Sequence, residues 1–198
     1  MCIFGETHKE EDVGAKIPSV VVTRYYMKCY DAFILRDFDK VRDFAERFIS
    51  QNLNNFSTVV LYHRSFYFGL ISFWIGRETN KKEWVKIGTK TKVSMEKLSV
   101  LASTWNFQNK AYLLQAEEQF CARNFDDAER LYDCAILSSR KHKFVNEEAL
   151  ANELAGYFHL DTGRKYKSLQ YFCQAEEKYR EWGAVEKANE LANYLRSN

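Results

Sequence analysis

Histidines, cysteines and paired carboxylates are the residues of this chain whose types could carry chemistry. His8, His63, His142 and His159 lie far apart, and no HExxH or Cys/His pair stands at ligand spacing. A zinc site gathers three or four such ligands about one ion, so no metal is expected. Neither GxxxxGK[ST] nor GxGxxG occurs. Without such a loop nothing cradles a phosphate at a helix start, and no cofactor is expected. Cys121 and His159 are a nucleophile and a base that neighbouring helices could bring together. The simpler expectation is a core thiol and an imidazole in a groove or on the surface. Glu117-Glu118 and Glu147-Glu148 point to different faces of their helices, which does not suit a paired acid and base. They read as solvated helix surface. No catalytic residue emerges, and the expectation is a protein that is not an enzyme.

Recognition is better represented. Aromatic side chains make up 16% of the chain, more than a core of this size needs. Tyr26 and Tyr30 are four apart and share a helix face, and Tyr62 and Phe66 repeat the arrangement. If the first helix of each pair lines a concave surface, these rings form a partner-binding groove. Lys110, Asn152 and His159 would then serve as polar contacts for a peptide's carboxylate or backbone.

The elements that must position these residues are helices. The sequence has 198 residues, one proline and few glycines, so long segments run uninterrupted, and strict polar/apolar alternation is almost absent. The periodicity predicts helices over 19–35, 38–50 and 58–75, with Gly76 ending the third, which is apolar over much of its circumference. Asn80 is expected to cap a helix reaching 103. Trp105-Asn106 is read as a turn, and helices follow over 107–122 and 125–139. Asn146 is expected to start a helix ended by Gly163. A second face runs Tyr166, Leu169, Phe172, Ala175, Tyr179, Trp182 to Gly183, and a third runs Val185 to Leu195. Gln51 to Ser57 reads as a loop with Ser57 as cap, and residues 1–17 as a loosely held leader. The expectation is an all-α fold: a right-handed solenoid of about nine helices in antiparallel pairs, forming one domain over 18–198.

The C-terminal half has a repeat texture. Small residues (Ala151, Ala155, Gly156, Ser168, Ala175) sit where two helices approach closely, with large aromatics one turn away. Ser168-x3-Phe172-x2-Ala175 resembles the second helix of a tetratricopeptide repeat, and the spacing recurs as Ala128-x3-Tyr132-x2-Ala135. The runs EEALANELAGYFHLDTGR, QYFCQAEEKYREWGAVEKANEL and KAYLLQAEEQFCARNFDDAERLYDCAI are similar to the helical-repeat segment of large multidomain signalling kinases. There the segment lies between an AAA-type ATPase module and GAF and histidine-kinase modules. The resemblance implies a regulatory or coupling segment, and none of the ATPase, GAF or kinase parts is present in this sequence.

Charge divides the middle of the chain. Residues 77–110 carry eight basic against three acidic side chains, and 111–140 carry three against six. Internal complementarity is the first reading. RNA binding through the Lys81–Lys97 helix is an alternative, and the net charge of +2 is too small for a dedicated nucleic-acid binder. The five cysteines (Cys2, Cys29, Cys121, Cys134, Cys173) form no CxxC pair and read as reduced, mostly buried thiols. No apolar run approaches the ~20 residues needed to span a bilayer. Nothing at the start resembles a signal peptide, and the expected location is cytoplasmic. The expected function is a scaffold binding a peptide or partner domain, with homodimerisation through an uncapped apolar end of the solenoid as a further expectation.

Overall fold

The computed structural model describes residues 18–50 and 58–197, with side chains from Val20 to Ser50 and from Tyr62 to Ser197. The expected leader, the 51–57 loop with its Ser57 cap, Cys2 and His8 lie outside the described residues. All described secondary structure is α-helical: α1 (Pro18–Ile34), α2 (Phe38–Ser50), α3 (Thr58–Thr79), α4 (Lys82–Leu101), α5 (Thr104–Cys121), α6 (Phe125–Lys141), α7 (Val145–Asp161), α8 (Lys165–Trp182) and α9 (Val185–Ser197). The chain divides into two compact units, Met1–Arg64 and Ser65–Asn198.

In the first unit α1 and α2 form an antiparallel pair. Val22, Tyr26, Cys29, Ala32 and Phe33 of α1 are buried with Val41, Ala45 and Phe48 of α2. The apolar spacing of both helices is the helical period, so one stripe of each faces the other. Asp37 stands at the turn, where its carboxylate accepts from the Lys40 amide at 3.2 Å.

In the second unit the helices pack in consecutive pairs from α4 through α9, and α5 also touches α7. The arrangement is that of a solenoid-like repeat. The stretch Phe66–Gly76 of α3 is buried without a break, and so is Glu148–Gly156 of α7. Ala151, Ala155, Gly156, Ser168 and Ala175 are all buried, as their spacing predicts. Gly156 lets α7 approach α8 closely, since a Cβ there would meet the Phe172 ring at 2.6 Å. Phe158 anchors the centre, with Phe120 at 5.0 Å and Tyr132 at 5.3 Å between ring centroids.

Among the described residues one turn closure recurs five times. At Arg36, Arg123, Lys143, Gly163 and Gly183 the backbone is left-handed, with φ between 56° and 92°. At each, that residue's amide bonds the carbonyl three residues back, and the next amide bonds the carbonyl five residues back; Gly163 to Leu160 at 3.0 Å and Arg164 to His159 at 2.8 Å are one example. This double bond satisfies the carbonyls that a helix end orphans. The residue after the left-handed one then accepts the first bond of the next helix, as Ala188 to Ala184 at 3.0 Å shows. One short connector thus closes one helix and opens its antiparallel neighbour.

Several expected boundaries shift. Gly76 lies inside α3 rather than at its end. Its role is close approach, since a Cβ there would meet Val85 at 2.7 Å. Asn80 takes the left-handed conformation and Lys81 stands at the start of α4 without a side-chain cap. Trp105-Asn106 is the first turn of α5, capped by the Ser103 hydroxyl, which accepts from the Asn106 amide at 3.2 Å. Asn146 falls inside α7. On α8 the buried face is Ser168, Phe172, Ala175 and Tyr179, while Tyr166 and Trp182 are exposed.

Candidate functional site

The residues expected to line a concave groove are mostly internal. In the first unit Tyr26 is buried, its hydroxyl 2.7 Å from His63 Nδ1 and its ring 6.0 Å from that of Phe48. Tyr30 and Tyr62 are half-buried. In the second unit Phe66, Asn152 and His159 are buried. Lys110 is engaged with Glu147 at 2.8 Å and lies over the Phe144 ring at 4.9 Å. Asn152 donates to the Glu148 carbonyl at 2.8 Å, the bond of a helix to its own preceding turn. His159 stacks on Tyr171 at 5.0 Å. Tyr26, Phe66, Asn152 and His159 therefore do not face solvent. Rings at an i, i+4 spacing were drawn into helix–helix interfaces, where they remove the most apolar area from water.

Carboxylates read from sequence as solvated surface are also inside. Glu117 is buried, receiving Arg77 Nη1 at 2.6 Å and the Tyr132 hydroxyl at 2.6 Å. Burial, with the Glu117 carboxylate next, pushes the Tyr132 hydroxyl well above its ordinary range. Burial opposes the charge on Arg77, but the adjacent Glu117 outweighs it and the guanidinium stays protonated. Glu153 is buried against Lys187 at 2.9 Å and accepts from the Tyr179 hydroxyl at 2.6 Å. Glu148 is buried against Arg140 at 2.8 Å. Arg77, Tyr132, Tyr179 and Lys187 carry no local sequence signal of these partnerships, which reach across 26 to 40 residues for the Tyr179 and Arg77 bonds. Each of these buried carboxylates meets a cation, and Glu117 and Glu153 a tyrosine hydroxyl as well, as a buried charge requires, while Arg77 Nε is buried without a hydrogen-bond partner.

Cys121 is not paired with His159. Its thiol lies 3.5 Å from the Phe73 carbonyl, and burial raises its pKa to about 11, so little thiolate exists near neutrality. His159 is held neutral, its pKa lowered to about 4 by burial and then by the positive charge of Arg164. Neither group is poised as nucleophile or base. Among the described residues no cluster of His, Cys, Asp or Glu could hold a metal ion.

Among the solvent-open features of the second unit, two combine charge with exposed or aromatic surface. One is a cleft of about 870 Å³ built by the α3–α4, α5–α6 and α7–α8 turns. Phe120 and Phe125 line it with the cations Arg77, Lys81, Lys82, Arg123 and Arg164 and the acids Glu78, Asp126 and Asp161. Two of its cations are held rigidly: Arg77 by Glu117 and over Phe120 at 4.1 Å, and Arg164 by Glu129 and over Phe158 at 4.8 Å. The other is the outer face of α4. There Lys92 turns inward to Glu118 at 2.7 Å, which is the internal complementarity expected between the basic and acidic stretches. Lys82, Lys86, Lys90 and Lys97 are exposed instead.

No protein-family model matches this sequence, and comparison with curated proteins finds no match. No helix among the described residues is long and apolar enough to cross a membrane.

Proposed function

We propose that this chain is a non-enzymatic interaction module, a helical repeat that binds a peptide or partner domain. The observation that carries the reading is the cleft at the turns of three successive helix pairs. Its volume of about 870 Å³ falls in the range of ligand-binding pockets. Its aromatic lining and mixed-charge rim suit a peptide with one apolar side chain and charges of both signs on either side. Arg77 and Arg164 are pre-positioned by their own ion pairs, so docking costs little side-chain ordering. The buried titratable groups near it are each consumed by structural partners, which suits recognition rather than turnover. Within a larger signalling protein the same cleft would be where the repeat meets a neighbouring module.

The test compares the wild-type chain with an Arg123→Glu/Asp126→Lys variant as bait. Both positions are exposed on the cleft, so the fold should survive, which circular dichroism checks. Proteins retained by the wild type and lost from the variant, then confirmed by a measured Kd, support the reading. Identical retained sets would move the binding surface elsewhere.

A further inference from the structure

The outer face of α4 combines two properties that a solvated helix does not need together. Lys82, Lys86 and Lys90 follow one another at i, i+4 spacing, and Lys97 lies on the same side; all four are exposed. The buried residues of α4, Trp84, Gly88, Met95 and Ser99, occupy the opposite face, so the lysine face is the one turned to water. Glu83 stands at its edge, and the helix's other carboxylate, Glu96, is engaged with Lys92 at 3.8 Å and Gln115 at 2.7 Å. This face ends in apolar residues. Val100 is 81% exposed and Leu101 83%, at the last two positions of the helix. A tight turn, closed by Ser103 to the Leu98 carbonyl at 3.1 Å, brings in Trp105, which is 60% exposed and stacks on His142 at 5.3 Å. Lys141 and Lys143 flank His142 and are exposed. The acids at this end are already consumed, Glu147 by Lys110 and Glu148 by Arg140.

An apolar tip of Val, Leu and Trp ringed by lysines is the composition that sits at a bilayer surface. Aliphatic groups enter the acyl boundary, the indole lies at headgroup level, and lysines meet anionic headgroups. Nucleic acid would use the lysines but leave Val100 and Leu101 without a role, since backbone phosphates reward charge alone. We propose that the outer face of α4 with the α4–α5 turn docks peripherally on an anionic membrane surface, lying on it without spanning it. This surface meets the peptide cleft at Lys82, which also lines it, and otherwise lies apart from it.

Sedimentation of the full chain with vesicles tests the proposal. Vesicles of phosphatidylcholine with phosphatidylserine should retain the protein, phosphatidylcholine alone should not, and added salt should release it. Lys86→Gln/Lys90→Gln should weaken partitioning roughly fivefold per lysine. Val100→Ser/Leu101→Ser should weaken it while leaving the salt dependence in place. Melting temperatures of both variants should match the wild type, because all four positions are exposed. Equal partitioning to both vesicle types, or indifference to both variants, would overturn the proposal. Preferential binding of single-stranded RNA, lost with the lysines but kept by the serine variant, would reassign the face to nucleic acid.

Discussion

The left-handed residues at the helix ends show what single side chains contribute. Gly163 and Gly183 take that conformation without a Cβ penalty, but Lys143 holds it at φ 59°. A non-glycine residue there costs about 1–2 kcal/mol, offset in part by glycine's greater freedom in the unfolded chain. Lys143→Gly should therefore stabilise the protein by roughly 1 kcal/mol, read as a melting temperature about 2–4 °C higher. Glycine turns are legible in sequence; Arg36, Arg123 and Lys143 are not, because neither arginine nor lysine marks a turn. His159 makes a pH-dependent contribution. Its folded pKa of about 4 lies below the ordinary 6.5. Between those values the unfolded chain takes up a proton that the folded one refuses, so stability falls as pH drops through that window. His159→Phe, which retains a ring against Tyr171, should flatten that part of the melting-temperature profile. A profile unchanged by the substitution would place the acid sensitivity in another group.

Between helices, close approach and buried charge decide the packing. Gly156→Ala improves intrinsic helix propensity by up to about 1 kcal/mol. The new Cβ would stand 2.6 Å from two atoms of the Phe172 ring, and overpacking of that kind costs about 1–3 kcal/mol. The clash should win, and a variant more stable than wild type would mean that α7 and α8 can separate freely. Glu117→Ala leaves the half-buried Arg77 and the buried Tyr132 hydroxyl without their carboxylate and should cost about 3 kcal/mol. Arg77→Met/Glu117→Leu removes both charges and should recover most of that loss, which denaturant titration of the three variants would show. The small-residue stripe of α7 and the aromatic stripe of α8 were readable because both obey the 3.6 period. The Arg77–Glu117–Tyr132 and Glu153–Lys187–Tyr179 sets were not, since a carboxylate's partner comes from another helix and sequence alone makes it look solvated. Gly76 admits Val85 instead of ending α3, because a glycine that ends a helix and one that admits a neighbour look alike in sequence.

Across the whole molecule the thiols report which parts are closed. Cys29 is buried and its pKa is raised to about 12 by burial, whereas Cys173 is exposed on α8. Among the described cysteines Cys173 should therefore react first with a thiol reagent in the native state, and Cys29 only on unfolding. Cys121 and Cys134 are half-buried, so the mostly buried set that helical spacing suggests is found only at Cys29; α8 buries one face, and Cys173 falls on the other. The helical class and the sequence of packed pairs followed from periodicity and a near-absence of proline. Which faces remained open did not, because that depends on how neighbouring helices consume each other's surface. The order of those neighbours has a kinetic consequence. From α4 to α9 every helix packs on the one next in the chain, and the longer links, such as Arg77 to Glu117 and Glu153 to Lys187, reach only to the helix after that. Contacts so close in sequence demand little loop-closure entropy, so this part of the chain should fold rapidly. Under tension it would peel helix by helix from an end, rather than break as a single body.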